Sequence, residues 1–434
     1  MYARSFSTTT AAARRVVLVD GCRIPFKMSG TDYKDLIAQD LGRLAIKGLL
    51  ARTAVEPTDV DYCIYGTVIQ EVRTSNIARE SALAAGLPQA TPCHTVTMAC
   101  ISANQAISQG ADMIMAGHAD VVVAGGAETM SDVPIRFGKK MRQKLIAASR
   151  FKGLKDVPKF LKGLKLKDLA PEAPAIAEFS TGEVMGHSSD RLASWFGVTR
   201  EEQDAFALRS HQNAAKAHAE GLYDDEVVPV NGSIEENGIR GDSSMEKLGK
   251  LKPAFIKPHG THTAANSSFL SDGASATLIM SEEKALALGY TPKAVLKDYC
   301  FVSQDPKDQL LLGPAYGIAK LMTKHGLTTG DVDVYELHEA FAGQVLSNLA
   351  ALDSDSFSAE YLKLSKKIGA LPRERMNTMG GSLSIGHPFG ATGGRLVTTA
   401  ANRLLREDGN LALLAACAAG GQGTAMLLER WAPK

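Results

Sequence analysis

The 434-residue sequence predicts an α/β fold made of two similar halves. Helix-like and strand-like patterns alternate along the chain, which is typical of sheets whose strands are connected by helices. The runs at 120–124 (DVVVA) and 411–416 (LALLAA) are almost entirely apolar, as in strands that are buried on both faces. A helix-forming stretch precedes each run and a glycine pair follows it, so we expect one unit to occur twice in mixed, mainly parallel sheets.

Local patterns predict the individual elements. Residues 16–19 are aliphatic and rich in valine and predict the first strand, which ends at Asp20-Gly21. Apolar residues at helical spacing predict an amphipathic helix at 36–51. The other elements expected in the first half are a strand at 60–64, a helix at 101–116 and a strand at 120–124. In the second half we expect a strand at 332–335, a helix at 391–405 and a strand at 411–416.

These patterns divide the chain into a leader, two halves and an insertion. Residues 1–19 contain three arginines, several serines and threonines, and no acid before the end of the first predicted strand. This composition is typical of a mitochondrial transit peptide, and a frayed basic tail is the alternative. The expected segments are 1–15, a transit remnant; 16–130, the N-terminal half; 131–225, an inserted loop domain; 226–290, the end of the N-terminal half; and 291–434, the C-terminal half.

Bulk composition excludes several classes of function. The net charge of +1 gives the whole chain no electrostatic basis for binding nucleic acid. No apolar run is long enough to span a bilayer. The six cysteines are scattered, without a CxxC pair or zinc-type spacing, so neither a disulfide framework nor a metal site is expected.

One segment, 136–168, departs from this balance. It contains twelve Lys or Arg and two Asp, a net charge of +10, interspersed with leucine, valine and phenylalanine. A solvated basic loop is one interpretation. A surface that contacts acidic lipid or an acidic partner is the interpretation we favour, because the apolar residues can form one face of a broken helix.

Two clusters contain the first candidate catalytic residues. Cys100 directly precedes a helix-forming segment, where the positive end of the helix dipole is expected to lower the pKa of its thiol. A small buried structural cysteine is the alternative. The glycine-rich block GGSLSIGHPFGATGGR at 380–395 holds His387 in a rigid loop that suits a general base. No Lys-Ser or Lys-Thr pair follows these glycines, which excludes a P-loop.

Two further clusters lie at the ends of predicted strands. Cys417 opens the block CAAGGQG, where a lone cysteine is more often structural. His338 and Glu339 lie in ELHEAF, where a strand gives way to a helix. Because no HExxH sequence is present, this pair does not indicate a metal site.

In this order the four clusters resemble the signature blocks of the thiolase family, and the resemblance covers nearly the whole chain. The blocks GHPFGATGGR and CAAGGQG are highly specific, and ketoacyl synthases lack the latter. The resemblance implies a thiolase-like fold of two repeated α/β halves with an inserted loop domain. It also implies an acyltransferase, a 3-ketoacyl-CoA thiolase (acetyl-CoA C-acyltransferase) that cleaves 3-ketoacyl-CoA with CoA in fatty-acid β-oxidation.

The resemblance also implies roles for individual residues. Cys100 is expected to be the nucleophile, and His387 the base that accepts its proton and lines an oxyanion site. Cys417 is expected to exchange a proton with the acetyl carbon. His338 stands where most family members use Asn to hold a water. The backbone N–H groups of Cys100 and Ala419 are expected to form a second oxyanion hole.

Coenzyme A is expected as a substrate, with no bound cofactor or metal. The loop AANSSFLSDG at 264–273 resembles the family's pantetheine loop, with Ser268 at its CoA-binding serine. Met185 and Phe341 match residues beside the pantetheine and acyl groups. Two positions where glycines are common, 265 and 269, carry Ala and Phe.

Within the family, the basic insertion and HEAF most resemble the β-subunits of mitochondrial trifunctional complexes. This likeness implies a hydratase/dehydrogenase α-subunit as partner, a homodimer within a hetero-oligomer, and peripheral contact of 136–168 with the matrix side of the inner membrane. The alternatives are a biosynthetic acetoacetyl-CoA thiolase and a non-catalytic lipid-binding member of the fold. The latter is disfavoured because Cys100, His387 and Cys417 are all present.

Overall fold

The computed structural model describes residues 14–174 and 177–433. Its strands are β1 (Val16–Arg23), β2 (Lys27–Met28), β3 (Tyr62–Gly66), β4 (Cys93–Val96), β5 (Val121–Glu128), β6 (Arg136–Phe137), β7 (Pro171–Glu172), β8 (Ser271–Ser281), β9 (Ala294–Ser303), β10 (Val334–Leu337), β11 (Leu411–Ala418) and β12 (Gln422–Arg430). Its helices are α1 (Ala38–Thr53), α2 (Ile77–Ala85), α3 (Ser102–Met115), α4 (Lys139–Ala148), α5 (Val157–Leu161), α6 (Met185–Trp195), α7 (Arg200–Ala219), α8 (Met245–Gly249), α9 (Glu282–Ala287), α10 (Gly313–His325), α11 (Ala342–Leu352), α12 (Asp355–Phe357), α13 (Ser382–Ile385) and α14 (Thr392–Arg406).

One continuous sheet runs through both halves in the order β10-β11-β12-β9-β1-β8-β5-β3-β4. In the first half, β1–β8 and β8–β5 are antiparallel and β5–β3 is parallel. The second half repeats this pattern, because β9–β12 and β12–β11 are antiparallel and β11–β10 is parallel. The two halves meet where β1 pairs with β9. The repeated α/β unit expected from the sequence is therefore present.

The α/β class and the mixed sheet agree with the sequence prediction, but parallel pairing is less extensive than expected. Parallel pairs join β3 to β4 and β5, and β10 to β11. The pairs made by β8, β9 and β12 are antiparallel. One reason is local: β12 follows β11 after a turn of three residues, and so short a connection can only return the chain antiparallel.

Two central helices position the loops that form the candidate site. Helices α3 and α14 pack against each other on one face of the sheet and share a hydrophobic core with strands of both halves. The opposite face is covered by α1 in the first half and by α10 and α11 in the second. The helices predicted at 101–116 and 391–405 are thus α3 and α14, and their N-termini begin next to the loops that contain Cys100 and His387.

The structure also shows how part of the N-terminal segment and the insertion are arranged. Most of the expected transit remnant, residues 1–13, lies outside the described residues. Of the remaining two residues, Arg14 pairs with Asp120 and Arg15 with Glu282, so both arginines contact the folded body. In the insertion, α4 and α5 pack together as short helices. Throughout 14–174 and 177–433, no helix has the length and apolarity that crossing a membrane requires.

Candidate active site

A single cavity of about 440 Å³ opens where loops from both halves converge. Cys100, from the loop before α3, lines it together with His387, from the loop before α14, and Cys417, from the end of β11. The other expected residues that line it are Ala419, Ser268, Met185 and Phe341. The structure therefore brings together residues that are more than 300 positions apart in the sequence.

Cys100 is held at a sharp turn in front of α3. The preceding residue, Ala99, has a left-handed backbone with φ of 47°, which is uncommon for a residue with a side chain. The Ser102 hydroxyl accepts the N–H of Met98 at 2.8 Å and donates to the carbonyl of Ala99 at 2.6 Å, which ties the turn together. The turn presents the Cys100 sulfur to the cavity.

The Cys100 thiol is protonated in the resting site. Burial raises its pKa to about 12, while hydrogen bonds from the backbone N–H of Ala419 and of Cys100 itself act in the opposite direction. The carboxyl groups of Glu128 and Glu178 raise the pKa further. The lowered pKa expected from the helix N-terminus is thus wrong, because desolvation of the thiolate outweighs the favourable dipoles. Formation of the nucleophile requires a base.

His387 is that candidate base, and its surroundings fix which ring nitrogen is free. Its backbone N–H donates to Ser271 Oγ at 2.9 Å, after Gly386 with φ of 103°. Its Nδ1 lies 2.7 Å from Thr392 Oγ1, and the Thr392 hydroxyl donates its proton to the carbonyl of Pro388 at 3.1 Å. The threonine oxygen must therefore accept from Nδ1–H, which leaves Nε2 as an unprotonated acceptor.

The Nε2 atom of His387 is buried and has no hydrogen-bond partner within the described chain. Burial, reinforced by the nearby Arg395 guanidinium, lowers the pKa of His387 to about 3. The imidazole is consequently neutral at physiological pH, with a free lone pair, and it lines the same cavity as Cys100. This arrangement suits proton abstraction from sulfur.

His338 lies behind His387 and does not line the cavity directly. Its ring centroid is 4.1 Å from that of His387, and the ring planes are inclined by 43°. Its Nδ1 lies 3.0 Å from Ser382 Oγ, whereas its Nε2 is buried without a partner in the described chain. Burial, with smaller contributions from His387 and Arg395, holds the pKa of His338 well below its usual range. His338 is thus a second neutral imidazole.

Cys417 lies within the sheet, near the end of β11, where this strand pairs with β12. Burial raises the pKa of its thiol, and the neighbouring Cys100 raises it further. The Gly420 N–H donates to Glu178 Oε1 at 3.0 Å, and this bond anchors the loop after Cys417. Ala419, where glycine is common in the family, avoids the left-handed region, so its methyl group causes no backbone strain.

Two buried carboxyl groups of the site escaped the sequence analysis. Glu178 comes from the insertion, and Glu128 ends β5. Glu128 accepts the N–H groups of Val68, Ile69 and Gly390, each at 3.0 Å, and so connects the first half to the His387 loop. Burial raises its pKa to about 7. The only signal for Glu128 was its place at the end of a buried strand, the edge where ligands bind in parallel sheets.

The expected CoA contacts occupy one wall of the cavity. Ser268 donates its N–H to the carbonyl of Ala340 at 2.9 Å, and Phe341 packs edge-on against Phe255 and His262. Most of the lining is apolar, which suits an acyl chain and a pantetheine arm. In the described part of the chain, no group of three or more His, Cys, Asp or Glu is placed to hold a metal ion.

Comparison with known proteins agrees with this geometry. The model of the thiolase N-terminal domain matches residues 16–283, and that of the C-terminal domain matches 290–430. The chain is 58% identical over 422 residues to "Trifunctional enzyme subunit beta, mitochondrial" from Bos taurus, covering 96% of this chain and 89% of that protein. It is 56% identical to a "Probable 3-ketoacyl-CoA thiolase" from Caenorhabditis elegans, covering 98% of each.

A solved structure also resembles this chain over nearly its full length. The crystal structure of human mitochondrial 3-ketoacyl-CoA thiolase in complex with CoA superposes with a TM-score of 0.83 at 30% identity, covering 97% of this chain and 99% of that one. Both family models together span almost the whole described chain, and Cys100, His387 and Cys417 line one cavity. The chain belongs to the thiolase family of acyltransferases.

Proposed function

We propose that this enzyme cleaves 3-ketoacyl-CoA with CoA by a covalent mechanism in which Cys100, His387 and Cys417 are the catalytic residues. The observation that carries the assignment is the arrangement around Cys100. A protonated thiol, a neutral imidazole with a free Nε2, and a second protonated thiol line one cavity, and two backbone N–H groups point at the Cys100 sulfur. A thiolase needs these groups for its two half-reactions.

In the first half-reaction, His387 Nε2 takes the thiol proton as the Cys100 sulfur attacks the 3-keto carbon. Collapse of the tetrahedral adduct breaks the C2–C3 bond and leaves the shortened acyl group on Cys100. The electron pair of that bond becomes the enolate of acetyl-CoA, and Cys417 donates its thiol proton to C2. Donors on the enolate oxygen, including His387 and a group held by His338, stabilise its charge; a single such donor is typically worth about 3–4 kcal/mol.

After C2 is protonated, His387 Nε2 passes its proton to the Cys417 thiolate and is again a free acceptor. In the second half-reaction, a new CoA thiol transfers its proton to this Nε2, and its sulfur attacks the acyl-Cys100 carbonyl. The N–H groups of Cys100 and Ala419 stabilise the resulting oxyanion. Collapse of this adduct releases acyl-CoA and the Cys100 sulfur. The proton that His387 received from CoA passes to the Cys100 sulfur as it leaves, so both thiols are restored.

Variants of the two cysteines test these separate catalytic roles. Cys100→Ala should abolish acyl transfer, and mass spectrometry of wild-type enzyme given acyl donor without CoA should locate the acyl group on Cys100. Cys417→Ser should slow carbon–carbon cleavage and proton exchange at the acetyl methyl group, while acylation of Cys100 from a simple thioester continues. Cys93→Ala, outside the cavity, is the control. An acyl group on Cys93 or Cys417, or equal loss of both half-reactions in Cys417→Ser, contradicts the mechanism.

The degradative direction is part of the proposal. Relatives above 50% identity are named for trifunctional enzyme and 3-ketoacyl-CoA thiolase, and the apolar cavity suits a long acyl chain. Comparison of cleavage rates for long-chain 3-ketoacyl-CoA and acetoacetyl-CoA tests it. A preference for acetoacetyl-CoA would favour a biosynthetic role. Ser268, Met185 and Phe341 are proposed as contacts to CoA and acyl chain, so their replacement should raise KM more than it lowers kcat.

The highly similar relatives are mitochondrial proteins, and a mitochondrial location follows for this chain. We infer further that the enzyme is a homodimer that assembles with a hydratase/dehydrogenase subunit on the matrix side of the inner membrane. The basic segment 136–168 supports membrane contact, because its lysines lie near exposed apolar side chains. The exposed large apolar residues in and beside it are Ile135, Phe137, Leu145, Ile146, Val157, Leu161, Leu166 and Leu169.

The fold of this segment keeps those groups at the surface. Lys144 Nζ donates to the carbonyls of Phe160 and Lys162, each at 2.7 Å, and so caps the C-terminal end of α5. Lys140 pairs with Asp168 at 2.7 Å. The apolar Leu161 and Leu166 remain 59% and 86% exposed. Each basic residue near an anionic surface contributes about 1 kcal/mol, and exposed leucines add to this by insertion among the headgroups.

Flotation with vesicles that contain anionic lipid tests the membrane contact. We expect salt-sensitive binding that is lost on deletion of 139–167 or in the triple variant K162E/K165E/K167E, with thiolase activity retained. The triple variant K363E/K366E/K367E makes the same charge change on a different exposed loop and should bind like wild type. Undiminished binding of the deletion variant would refute the membrane contact. Loss of the co-purifying partner subunit instead would assign the segment to subunit docking.

A further inference from the structure

Ser382 connects the second imidazole of the site to a buried cation. Its Oγ lies 3.0 Å from His338 Nδ1 and 3.4 Å from Arg395 Nη2. Ser382 and His338 are fully buried and Arg395 almost so, and Arg395 is held from the other side by Glu336 at 3.0 Å. Because Glu336 on β10 is fully buried and also pairs with Arg403 at 2.9 Å, the guanidinium is rigidly placed.

The positions of the protons in this series of hydrogen bonds follow from counting its donors and acceptors. A guanidinium can only donate, so Arg395 occupies one lone pair of Ser382 Oγ. Within the described chain, the hydroxyl proton of Ser382 has no acceptor other than His338 Nδ1. If Nδ1 carried the proton instead, the buried hydroxyl would be left without an acceptor, which typically costs about 1–3 kcal/mol. The arrangement that satisfies the Ser382 hydroxyl has Ser382 donating to Nδ1, and the Nε2–H of His338 is then a buried donor that needs a partner from the site.

We propose that Ser382, oriented by Arg395, is a positioning residue that fixes His338 as the Nε2–H tautomer and presents this N–H to a water that hydrogen-bonds the enolate oxygen. The proposal rests on the proposed function, in which position 338 helps to stabilise the enolate. Asparagine, which most of the family uses at this position, carries an amide N–H that needs no such control. An imidazole is a donor at Nε2 only when Nδ1 is kept free of its proton.

The two adjacent imidazoles of the site then have opposite roles. Thr392 accepts from Nδ1–H of His387 and leaves Nε2 as a proton acceptor. Ser382 donates to Nδ1 of His338 and leaves Nε2 as a proton donor. Both Nε2 atoms are buried and lack partners within the described chain, which leaves that of His387 free for the substrate and that of His338 free for a water. One hydroxyl behind each ring decides whether that ring is base or oxyanion donor.

A double-mutant cycle tests the proposal. Ser382→Ala should lower kcat for cleavage at least about tenfold, with KM nearly unchanged, because an oriented oxyanion donor is lost. In a His338→Asn background the same substitution should change kcat less than about twofold, because there is no tautomer left to control. Ser382→Thr retains the hydroxyl and should restore activity in the His338 enzyme. Ser384→Ala, two residues away on α13, is the matched control.

The outcomes separate positioning from packing. A packing role for Ser382 predicts equal losses in the His338 and His338→Asn backgrounds, and that result would overturn the proposal. Thermal unfolding of each variant shows whether the comparison is made on folded enzyme, and Ser382→Thr provides the second substitution. If His338→Asn is as inactive as His338→Ala, the oxyanion role of position 338 fails, and the positioning role falls with it. A kcat of Ser382→Thr as low as that of Ser382→Ala would also contradict the positioning role.

Discussion

Replacing His387 with alanine should remove the base that deprotonates Cys100. Acylation should then be limited by the small fraction of Cys100 side chains that are already thiolate. The pKa of Cys100 is raised to about 12, so only about 10⁻⁵ of the sites carry thiolate at pH 7. An ordinary thiol with the reference pKa of 9.0 would supply about 10⁻². The structure therefore makes Cys100 unusually dependent on its base, and we expect acylation to slow at least by the 10²–10⁴-fold typical of a lost general base.

The pH dependence separates this explanation from a general loss of structure. In His387→Ala, the rate should rise about tenfold per pH unit between 7 and 10, because the thiolate fraction does so below its pKa. In wild type, the pKa of His387 is lowered to about 3, so the base is neutral above that pH and no loss of activity centred near 6.5 is expected from it. Single-turnover acylation, with the acyl-enzyme quantified by mass spectrometry, measures both profiles.

Two controls complete the experiment. His94→Ala removes a half-buried histidine on β4, outside the cavity, and should leave the profile unchanged. Glu128, whose pKa burial raises to about 7, is the other group near Cys100 that titrates in this range. An inflection near 7 that disappears in Glu128→Gln would therefore belong to Glu128 and not to the base. A flat pH profile in His387→Ala, or acylation as fast as wild type at pH 7, would refute the reasoning.

Three further predictions rest on single contacts. Thr392→Val removes the acceptor for Nδ1–H of His387 and should lower kcat at least about tenfold, whereas Thr392→Ser should not; steady-state kinetics measures both. In Gly390→Ala the new methyl would lie 2.6 Å from the Ala127 carbonyl, so the free energy of unfolding in urea should fall by about 1–3 kcal/mol. Cys93, whose pKa is lowered to about 7 by contact with Cys63 and Arg79, should react with iodoacetamide before Cys100, with an inflection near pH 7 in peptide mass spectrometry.

The sequence predicted the fold well because its signals were local. Apolar runs and helical spacing placed β5, β11, α3 and α14 within a few residues, and the repeated order of these elements indicated the two halves. Pairing direction was harder, because β8 and its counterpart β12 look like any buried strand until their partners are known. The residues of the site were found through signature blocks, not through their chemistry. Nothing in the pattern alone showed that Cys100 and His387 meet.

The electrostatics of the site could not be predicted from position in the chain. The sequence places Cys100 before a helix, and this correctly suggests dipoles that favour the thiolate. It contains no measure of desolvation, which depends on how completely two halves of the fold enclose the sulfur. Glu128 and Glu178 were missed for the same reason, since their partners Gly390 and Gly420 lie more than 240 residues away. Charge balance in a buried site is a property of tertiary structure.

The duplicated architecture explains why one half cannot perform the reaction. Each half places a loop before its central helix, and because α3 and α14 lie side by side, the two loops open into the same cavity. The first half supplies Cys100, the proposed nucleophile, and the second supplies His387, the proposed base. The second half also places Cys417 next to the last residue of β11, whereas the corresponding β5 ends with Glu128, which holds the His387 loop through Gly390. Equivalent positions have thus been given different chemical tasks, and the thiol is activated only where the halves join.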